Sequence, residues 1–534
     1  MEYDILITGG RIIDGTGNPW FRADIGIKNG KIVSIGKLSG EEAKEVISAE
    51  KLIVCPGFID IHSHSDFTLL VNPRAESKVR QGVTTEIIGN CGSSAAPILG
   101  QLRDEMSRVA ERYGIKIDWT YMGEYLRKLE ENGIAVNVAT YVGFANIRVA
   151  VMGYENREPN KEELEEMKSL AARSMDEGAI GLSTGLRYDP QSYAKTSEII
   201  EIAKVVAEKG GIYASHIRDE GDRGLLLEAI KEAIEIGEKA NIPVQISHLK
   251  ILAKPLWDKC DEMLRIIEEA RERGIDVTAD QYPYNASGTS LLAWIPKWAH
   301  EGGREKLLER LENKEMRAKI KEELVRVMEL RGGPERALIS RFEADPALEG
   351  LTVKQVADKW KTSPDEAAMR LVEIAVKRES SLGIINFNQS EENIVKIMKK
   401  PWVMISTDGY ALAPYGILSK GVPHPRSYGT YPRVLSKYVR KEKILTLEEA
   451  IRKMTSLPAS KLRFFDRGII RPGFWADIVI FDPKKVVDKA DYMNPKQYPE
   501  GIKYVIVNGV IVIREGEHTG ELPGKVLRRK REET

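Results

Sequence analysis

The stretch Gly57-Phe58-Ile59-Asp60-Ile61-His62-Ser63-His64-Ser65-Asp66 is a short apolar β run that ends on two histidines. Residues two apart on a strand share a face, so His62 and His64 point to the same side and one metal could take both. Seven further runs of this kind follow, at 83–89, 136–143, 179–184, 212–216, 243–248, 276–282 and 402–408. Helical patterns lie between several of them, at 161–177, 196–208, 224–239 and 259–273. Repeated βα units build a parallel sheet, and eight strands in about 350 residues fit a closed (β/α)8 barrel of the TIM type within the α/β class. A doubly wound open sheet is the competing arrangement. Residues 285–400 make too long a gap for a loop. They carry charged helical patterns and read as an insertion between strands seven and eight, a lid for the barrel mouth.

Outside the barrel the grammar changes. The beginning of the chain reads as short strands at 5–8, 11–13, 23–28 and 31–35, split by Gly9-Gly10 and Asn29-Gly30, and forms a small antiparallel sheet. The far end reads the same way at 476–481, 504–507 and 510–514, with Asn508-Gly509 as a hairpin turn. Neither set is large enough for its own core, so the two pack into one β-sandwich built from both termini. The expected division is 1–54 plus 468–534 for the sandwich and 55–467 for the barrel.

With 534 residues the chain exceeds what one core holds, which agrees with that division. Lys plus Arg number 80 and Asp plus Glu 80, so there is no formal net charge. That balance argues against nucleic acid or an anionic membrane as partner, since both need a basic excess. No apolar run is long enough to span a bilayer, and the start, with Glu2 and Asp4, lacks a basic leader. A cytoplasmic location follows, with Cys55, Cys91 and Cys260 kept as thiols. Abundant charged residues and scarce Gln lean toward a thermostable protein. The basic end Arg528, Arg529, Lys530, Arg531 reads as a solvated tail. A homo-oligomer is compatible with all of this.

The chain has only seven histidines, and the strand ends coincide with metal-ligating side chains. After His62 and His64 come Gly89-Asn90-Cys91-Gly92, Ser215-His216, Ser247-His248 and Ser406-Thr407-Asp408-Gly409. Singly, each has a plain structural explanation: a satisfied strand-end His, a buried small Cys, an Asp in a turn. Jointly, five strands presenting nitrogen, sulfur or carboxylate donors at one end of a barrel point to a metal.

These motifs, with Gly181-Leu182-Ser183-Thr184-Gly185-Leu186, Ser215-His216-Ile217-Arg218-Asp219-Glu220, Asp280-Gln281-Tyr282-Pro283-Tyr284 and His424-Pro425-Arg426-Ser427-Tyr428-Gly429-Thr430, resemble the metal-dependent amidohydrolases. Within that group the chain resembles the N-acyl-D-amino-acid deacylases, or D-aminoacylases, over nearly its whole length. Gly-Asn-Cys-Gly is the specific element, with cysteine where many relatives use a carboxylated lysine. The resemblance implies a zinc held tightly by Cys91, His216 and His248, with His62, His64 and Asp408 as a second, optional position. It implies hydrolysis of the amide of N-acyl-D-amino acids to a carboxylate and a free D-amino acid by metal-activated water. Asp408 is then the general base that takes the water's proton and the acid that returns it to the leaving amine. Arg426, Lys250 and Tyr282 match positions that grip the substrate's carboxylate, and Tyr188 and Ser287 line the same pocket. The implied partner is a small anionic amide. His424 supports the site or is structural. Two departures, Gly288 where some relatives carry a hydroxyl and Gln191 after Pro190, weaken any inference about side-chain or acyl preference. A related bond on the same metal centre, such as a D-residue dipeptide, an N-carbamoyl amino acid or a cyclic amide, is the alternative reaction. A scaffold without metal is disfavoured because every ligand is present.

Overall fold

The computed structural model describes residues 2–38 and 40–529. Eight parallel strands form its centre: β1 (Phe58–Asp60), β2 (Val83–Ile88), β3 (Asn137–Thr140), β4 (Gly181–Gly185), β5 (Ile212–His216), β6 (Val244–Ile246), β7 (Val277–Gln281) and β8 (Val403–Ile405). Each coincides with one of the eight runs. The order β1-β2-β3 is continuous, as is β4-β5-β6-β7-β8. The third run is split at Tyr141: 137–140 pairs with β2, and Val142–Gly143 pairs with β4. Closure between β8 and β1 comes from a parallel bridge of Ser63 with Gly409 and from Asp408 N–H donating to the His62 carbonyl at 2.9 Å. The ring is therefore a (β/α)8 barrel rather than an open sheet.

Alternation along the strands sorts the core. Ile59, Ile87, Ala139, Ile212, Ala214 and Met404 form one cluster with Leu462 and Ala459. Their neighbours Phe58, Ile88, Val138, Tyr213, Val403 and Ile405 pack instead with the helices. Those helices run Lys161–Asp176, Thr196–Glu208, Leu226–Ala240 and Cys260–Glu272. The first starts on a reciprocal cap, with Asn160 Oδ1 accepting from Glu163 N–H and Glu163 accepting from Asn160 N–H. Below the mouth, Lys78 is fully buried and ties three strands together. Its Nζ lies 2.6 Å from Asp60, 2.8 Å from Thr407 Oγ1 and 3.3 Å from Glu86. Removing one partner of such a cluster leaves an uncompensated buried charge, a loss of about 3–5 kcal/mol.

The two ends meet in a pair of sheets around a core that includes Ile5, Ile7, Ile25, Ile47, Ile478 and Ile506. Asn508 and Gly509 both have positive φ, and Val507 pairs with Val510, as the hairpin signal requires. Three details differ from the reading of the sequence. Arg11–Ile12 leaves the first sheet and pairs parallel with Ile53–Pro56 in the second. Ala43–Ser48 runs parallel to Tyr3–Thr8, so the first sheet is mixed. Ile53–Pro56 pairs with Ile478–Phe481, so residues 55 and 56 belong to the sandwich side of the expected boundary.

The C-terminal segment also departs from expectation. Gly524 and Leu527 donate to the carbonyls of Ile134 and Val138, and Arg528 pairs with Glu130, so this stretch lies along the barrel. Lys530 and Arg531 of the expected tail lie outside the described residues. Between β7 and β8, the strands Ser287–Ser290, Leu382–Asn386 and Ala337–Phe342 form an antiparallel sheet over a separate core containing Trp294, Leu324, Ile339 and Val372. The helix Glu391–Met398, inside the expected insertion, packs into the barrel core through Ile394 and Ile397. The insertion is thus shorter at its C-terminal end than 285–400 and is a folded unit in its own right. Among the described residues no helix is long and apolar enough to cross a membrane.

Candidate metal centre and substrate cavity

The side chains expected to bind metal converge at the C-terminal end of the barrel. Cys91 Sγ lies 3.4 Å from His62 Nε2, 3.9 Å from His64 Nε2, 3.5 Å from His216 Nδ1 and 3.5 Å from His248 Nε2. Asp408 Oδ1 is 3.0 Å from His64 Nε2 and 3.5 Å from His62 Nε2. Three overlapping triads bring their ligand atoms together: His62, His64, Cys91; Cys91, His216, His248; and His62, His248, Asp408.

The donor spacing fits zinc. Bond lengths of 2.3 Å to sulfur and about 2.05 Å to nitrogen at a tetrahedral angle put S and N about 3.6 Å apart. Both Cys91–His216 and Cys91–His248 are 3.5 Å.

The backbone turns sharply to achieve this. Cys91, His248 and Asp408 have φ of 53°, 37° and 46°, in the left-handed region that costs a side-chain-bearing residue about 1–2 kcal/mol. Three such residues at three strand ends store strain where the chemistry is. Glycines make the Cys91 turn feasible: a Cβ on Gly92, itself at φ 75°, would sit 1.8 Å from Gln191 Oε1. Gln191, the unexpected residue, accepts from Gly185 N–H at 2.6 Å and reaches the Cys91 carbonyl through Nε2 at 3.3 Å. It braces the cysteine loop.

Electrostatics follow from crowding. Burial alone would raise the Cys91 thiol, but His62, His216 and His248 outweigh it and hold it well below the usual thiol range. Burial opposes charge on His64, yet Asp408 and Cys91 raise it to about 9. Asp408 is held well below the carboxylate range against its burial, first by Arg426 and then by the imidazoles. A thiolate and a carboxylate among imidazoles form a donor set that a divalent cation completes by displacing protons.

Two carboxylates inside the quoted motifs, outside the expected ligand and substrate sets, prove central. Glu220 lies 3.5 Å from His216 Nε2 and 3.3 Å from His248 Nδ1, behind the ring nitrogens that face the cysteine. Asp280 sits 3.6 Å behind His62 Nδ1 and is itself held by Gln245, Ser406 and the His248 N–H. Such partners fix ring orientation and raise ligand basicity. Their sequence signals are modest: Glu220 is four residues past His216, and Asp280 precedes Tyr282 at the end of β7.

The expected substrate residues Arg426, Lys250, Tyr282, Tyr188 and Ser287 all line one cavity of about 950 Å³ that also reaches the metal ligands. Arg426 Nη1 is 2.8 Å from Asp408 Oδ2, out of line for a hydrogen bond, and its guanidinium lies 4.7 Å above the Tyr282 ring. Tyr282 Oη accepts from Gln389 at 2.9 Å, and Tyr188 presents its ring edge-on to His216 at 5.0 Å. Ser287 Oγ donates to Asn388 at 3.0 Å. Lys250 is not free: its Nζ pairs with Glu220 and lies 2.8 Å from His248 Nδ1. A His248 ring that ligates through Nε2 carries its proton on Nδ1, so that Lys250 contact and the metal bond are alternatives. His424 accepts from Arg426 N–H at 3.1 Å and contacts the Ala286 carbonyl at 3.0 Å, which makes it a support for the arginine.

A model of the amidohydrolase family matches residues 45–513. The chain belongs to the amidohydrolase family. This amidohydrolase is 35% identical to a D-aminoacylase of Alcaligenes xylosoxydans xylosoxydans, over 99% of its own length and 98% of the relative's. The structure of N-acyl-D-glutamate deacylase from Bordetella bronchiseptica, complexed with zinc and a phosphonate mimic of the tetrahedral intermediate, is similar with a TM-score of 0.84. Identity to it is 33%, over 99% of this chain and 100% of that one. A D-aminoacylase structure described by the role of its binuclear metal centre, with one-metal activation and second-metal attenuation, gives a TM-score of 0.82 at 33% identity. It too covers 99% of this chain and 100% of that one. The resemblance read from Gly-Asn-Cys-Gly to the D-aminoacylases within the amidohydrolases is thereby borne out, as is the barrel fold.

Proposed function

We propose that this amidohydrolase cleaves the amide bond of N-acyl-D-amino acids, releasing a carboxylate and a free D-amino acid. One zinc is held by Cys91, His216 and His248, and His62, His64 and Asp408 offer a second, weaker position. The observation that carries the proposal is the placement of a thiolate–imidazole cluster and a buried guanidinium in one cavity. The first suits a metal that would activate water for attack on an amide, and the second suits the carboxylate such a substrate carries.

Zinc, when bound, supplies a Lewis acid for the acyl oxygen and a water acidic enough to attack near neutral pH. Asp408 does the proton work: Oδ1 faces the ligand histidines, where it takes a proton from the attacking water and later delivers it to the leaving nitrogen. Arg426 grips the α-carboxylate with the edge that Gly288 leaves open, since a Cβ there would stand 3.3 Å from Nη2. The Tyr282 ring lies under the Arg426 guanidinium, Lys250 reaches the same cavity with its charge balanced by Glu220, and Tyr188 and Ser287 shape the wall. A cytoplasmic site of action suits the thiol at Cys91, which forms no disulfide.

The test is a purified chain with zinc counted, assayed on matched N-acetyl-D- and N-acetyl-L-amino acids. Release from the D series, with the L series at least about 100-fold slower, is expected. Release from neither series by zinc-loaded protein contradicts the proposal.

A further inference from the structure

A buried polar cluster centred on Lys78, in the short helix Glu76–Val79, joins the ends of β1 and β8. Lys78 is fully buried, and neither it nor its partners Asp60 and Thr407 line the substrate cavity. An ammonium has three protons to donate. Here they go to Asp60 Oδ2 at 2.6 Å, Thr407 Oγ1 at 2.8 Å and Ser63 Oγ at 3.0 Å. Each acceptor is a near neighbour of a proposed ligand along the chain: Ser63 separates His62 from His64, Thr407 directly precedes Asp408, and Asp60 lies two residues before His62.

The cluster closes around Asp408. Thr407 Oγ1 donates to Asp60 Oδ2 at 2.6 Å and accepts from Gly409 N–H at 3.0 Å, while Thr407 N–H donates to Asp60 Oδ1 at 2.9 Å. On the other strand Ser63 Oγ passes its proton to Glu86 at 2.5 Å. The two strand ends are then tied backbone to backbone, with Asp408 N–H donating to the His62 carbonyl and His64 N–H to the Gly409 carbonyl, both at 2.9 Å. Asp408 needs this support, because its left-handed φ of 46° persists only where the surroundings over-determine it. With the residues on both sides fixed, its Oδ1 is held 3.0 Å from His64 Nε2. The other three ligands are supported elsewhere, Cys91 by Gln191 and the rings of His216 and His248 by Glu220.

We propose that Lys78 is a positioning residue for the proton-transfer step: by donating to Thr407 and Ser63 it fixes Asp408 against His62 and His64. It acts through Asp408, so the inference rests on the reading of that residue as the base. The competing account is that Lys78 only neutralises the buried carboxylates Asp60 and Glu86 and serves stability alone.

Lys78→Met, Thr407→Val and Thr407→Ser are compared in zinc-loaded full-length protein on an N-acetyl-D-amino acid. The first two are expected to lower kcat at least about tenfold, with KM changed less than about threefold and zinc still near one per chain. Thr407→Ser, which keeps the hydroxyl, retains most of the parent kcat. Added to Asp408→Asn, Thr407→Val costs nothing further, because the two side chains act as one unit. A parent-like kcat in Thr407→Val beside an impaired Asp408→Asn overturns the inference and leaves the deacylase reading standing. So does a loss that adds in full to that of Asp408→Asn, as a role in stability alone would give. A parent-like Asp408→Asn overturns the assignment of the base, and this inference with it. If Lys78→Met does not fold, or the parent turns over no substrate, the crystal structure of zinc-loaded Thr407→Val decides. An Asp408 carboxylate displaced by about 1 Å or more, with Cys91, His216 and His248 in place, supports the positioning role. An unmoved carboxylate, or displacement of those three ligands, overturns it.

Discussion

Cys91→Ala is expected to leave the protein with less than a tenth of a zinc per chain and with activity down about 1000-fold or more. Every triad that includes Cys91 loses its only thiolate, while His216 and His248 remain within 4.4 Å ring to ring. Two imidazoles backed by one glutamate make a poor zinc site, because the anion that offsets the metal charge at the centre is gone. The loss is read by metal analysis and by turnover on an N-acyl-D-amino acid. Full retention of zinc would mean that the metal is held by His62, His64 and Asp408 instead. The fold itself should survive: the barrel core and the Lys78 cluster do not involve Cys91.

Asp408→Asn separates binding from chemistry. Its carboxylate is not among the Cys91, His216, His248 donors, so zinc should stay at about one per chain while kcat falls about 10²- to 10⁴-fold. A variant that turns over at the parent rate would remove Asp408 from the mechanism. The pH profile carries the sign of the electrostatics. Asp408 is depressed in the folded state, so its contribution to stability is complete above its unfolded value of about 3.9 and fades only as pH falls below that. It therefore stays ionised across neutral and mildly acid pH. The acid limb of activity comes instead from protons competing for the ligand imidazoles, such as His216, which Glu220 and Cys91 raise against its burial. Added zinc should move that limb to lower pH, whereas an acid limb indifferent to zinc would assign it to a carboxyl group.

Much of this site was legible because its residues are rare and placed by period. Seven histidines in 534 residues, four of them at strand ends with Cys91 and Asp408, left little freedom once the barrel was recognised. Glu220 and Asp280 escaped because supporting carboxylates act behind the ligands, and nothing in strand or helix period marks a group that orients another. Lys250 was read as a substrate residue, but the fold brings Glu220 to it from the neighbouring strand end, a pairing that chain spacing does not reveal. The split of the third run at Tyr141 and the parallel pairing of Ala43–Ser48 are matters of register, set by neighbours rather than by local pattern. The pairing of Arg331 with Asp222 is invisible for a similar reason: the two lie more than 100 residues apart and meet only through the insertion. Gln191, a departure from the family pattern near the substrate, is a brace for the cysteine loop.

The central claim is that a single thiolate and imidazoles hold the catalytic zinc. X-ray absorption at the zinc edge, on protein loaded with one equivalent, tests it directly. The account predicts one sulfur at about 2.3 Å together with nitrogen or oxygen neighbours at about 2.0–2.1 Å, with the sulfur contribution absent in Cys91→Ala. A zinc shell of nitrogen and oxygen alone in the parent protein would contradict it.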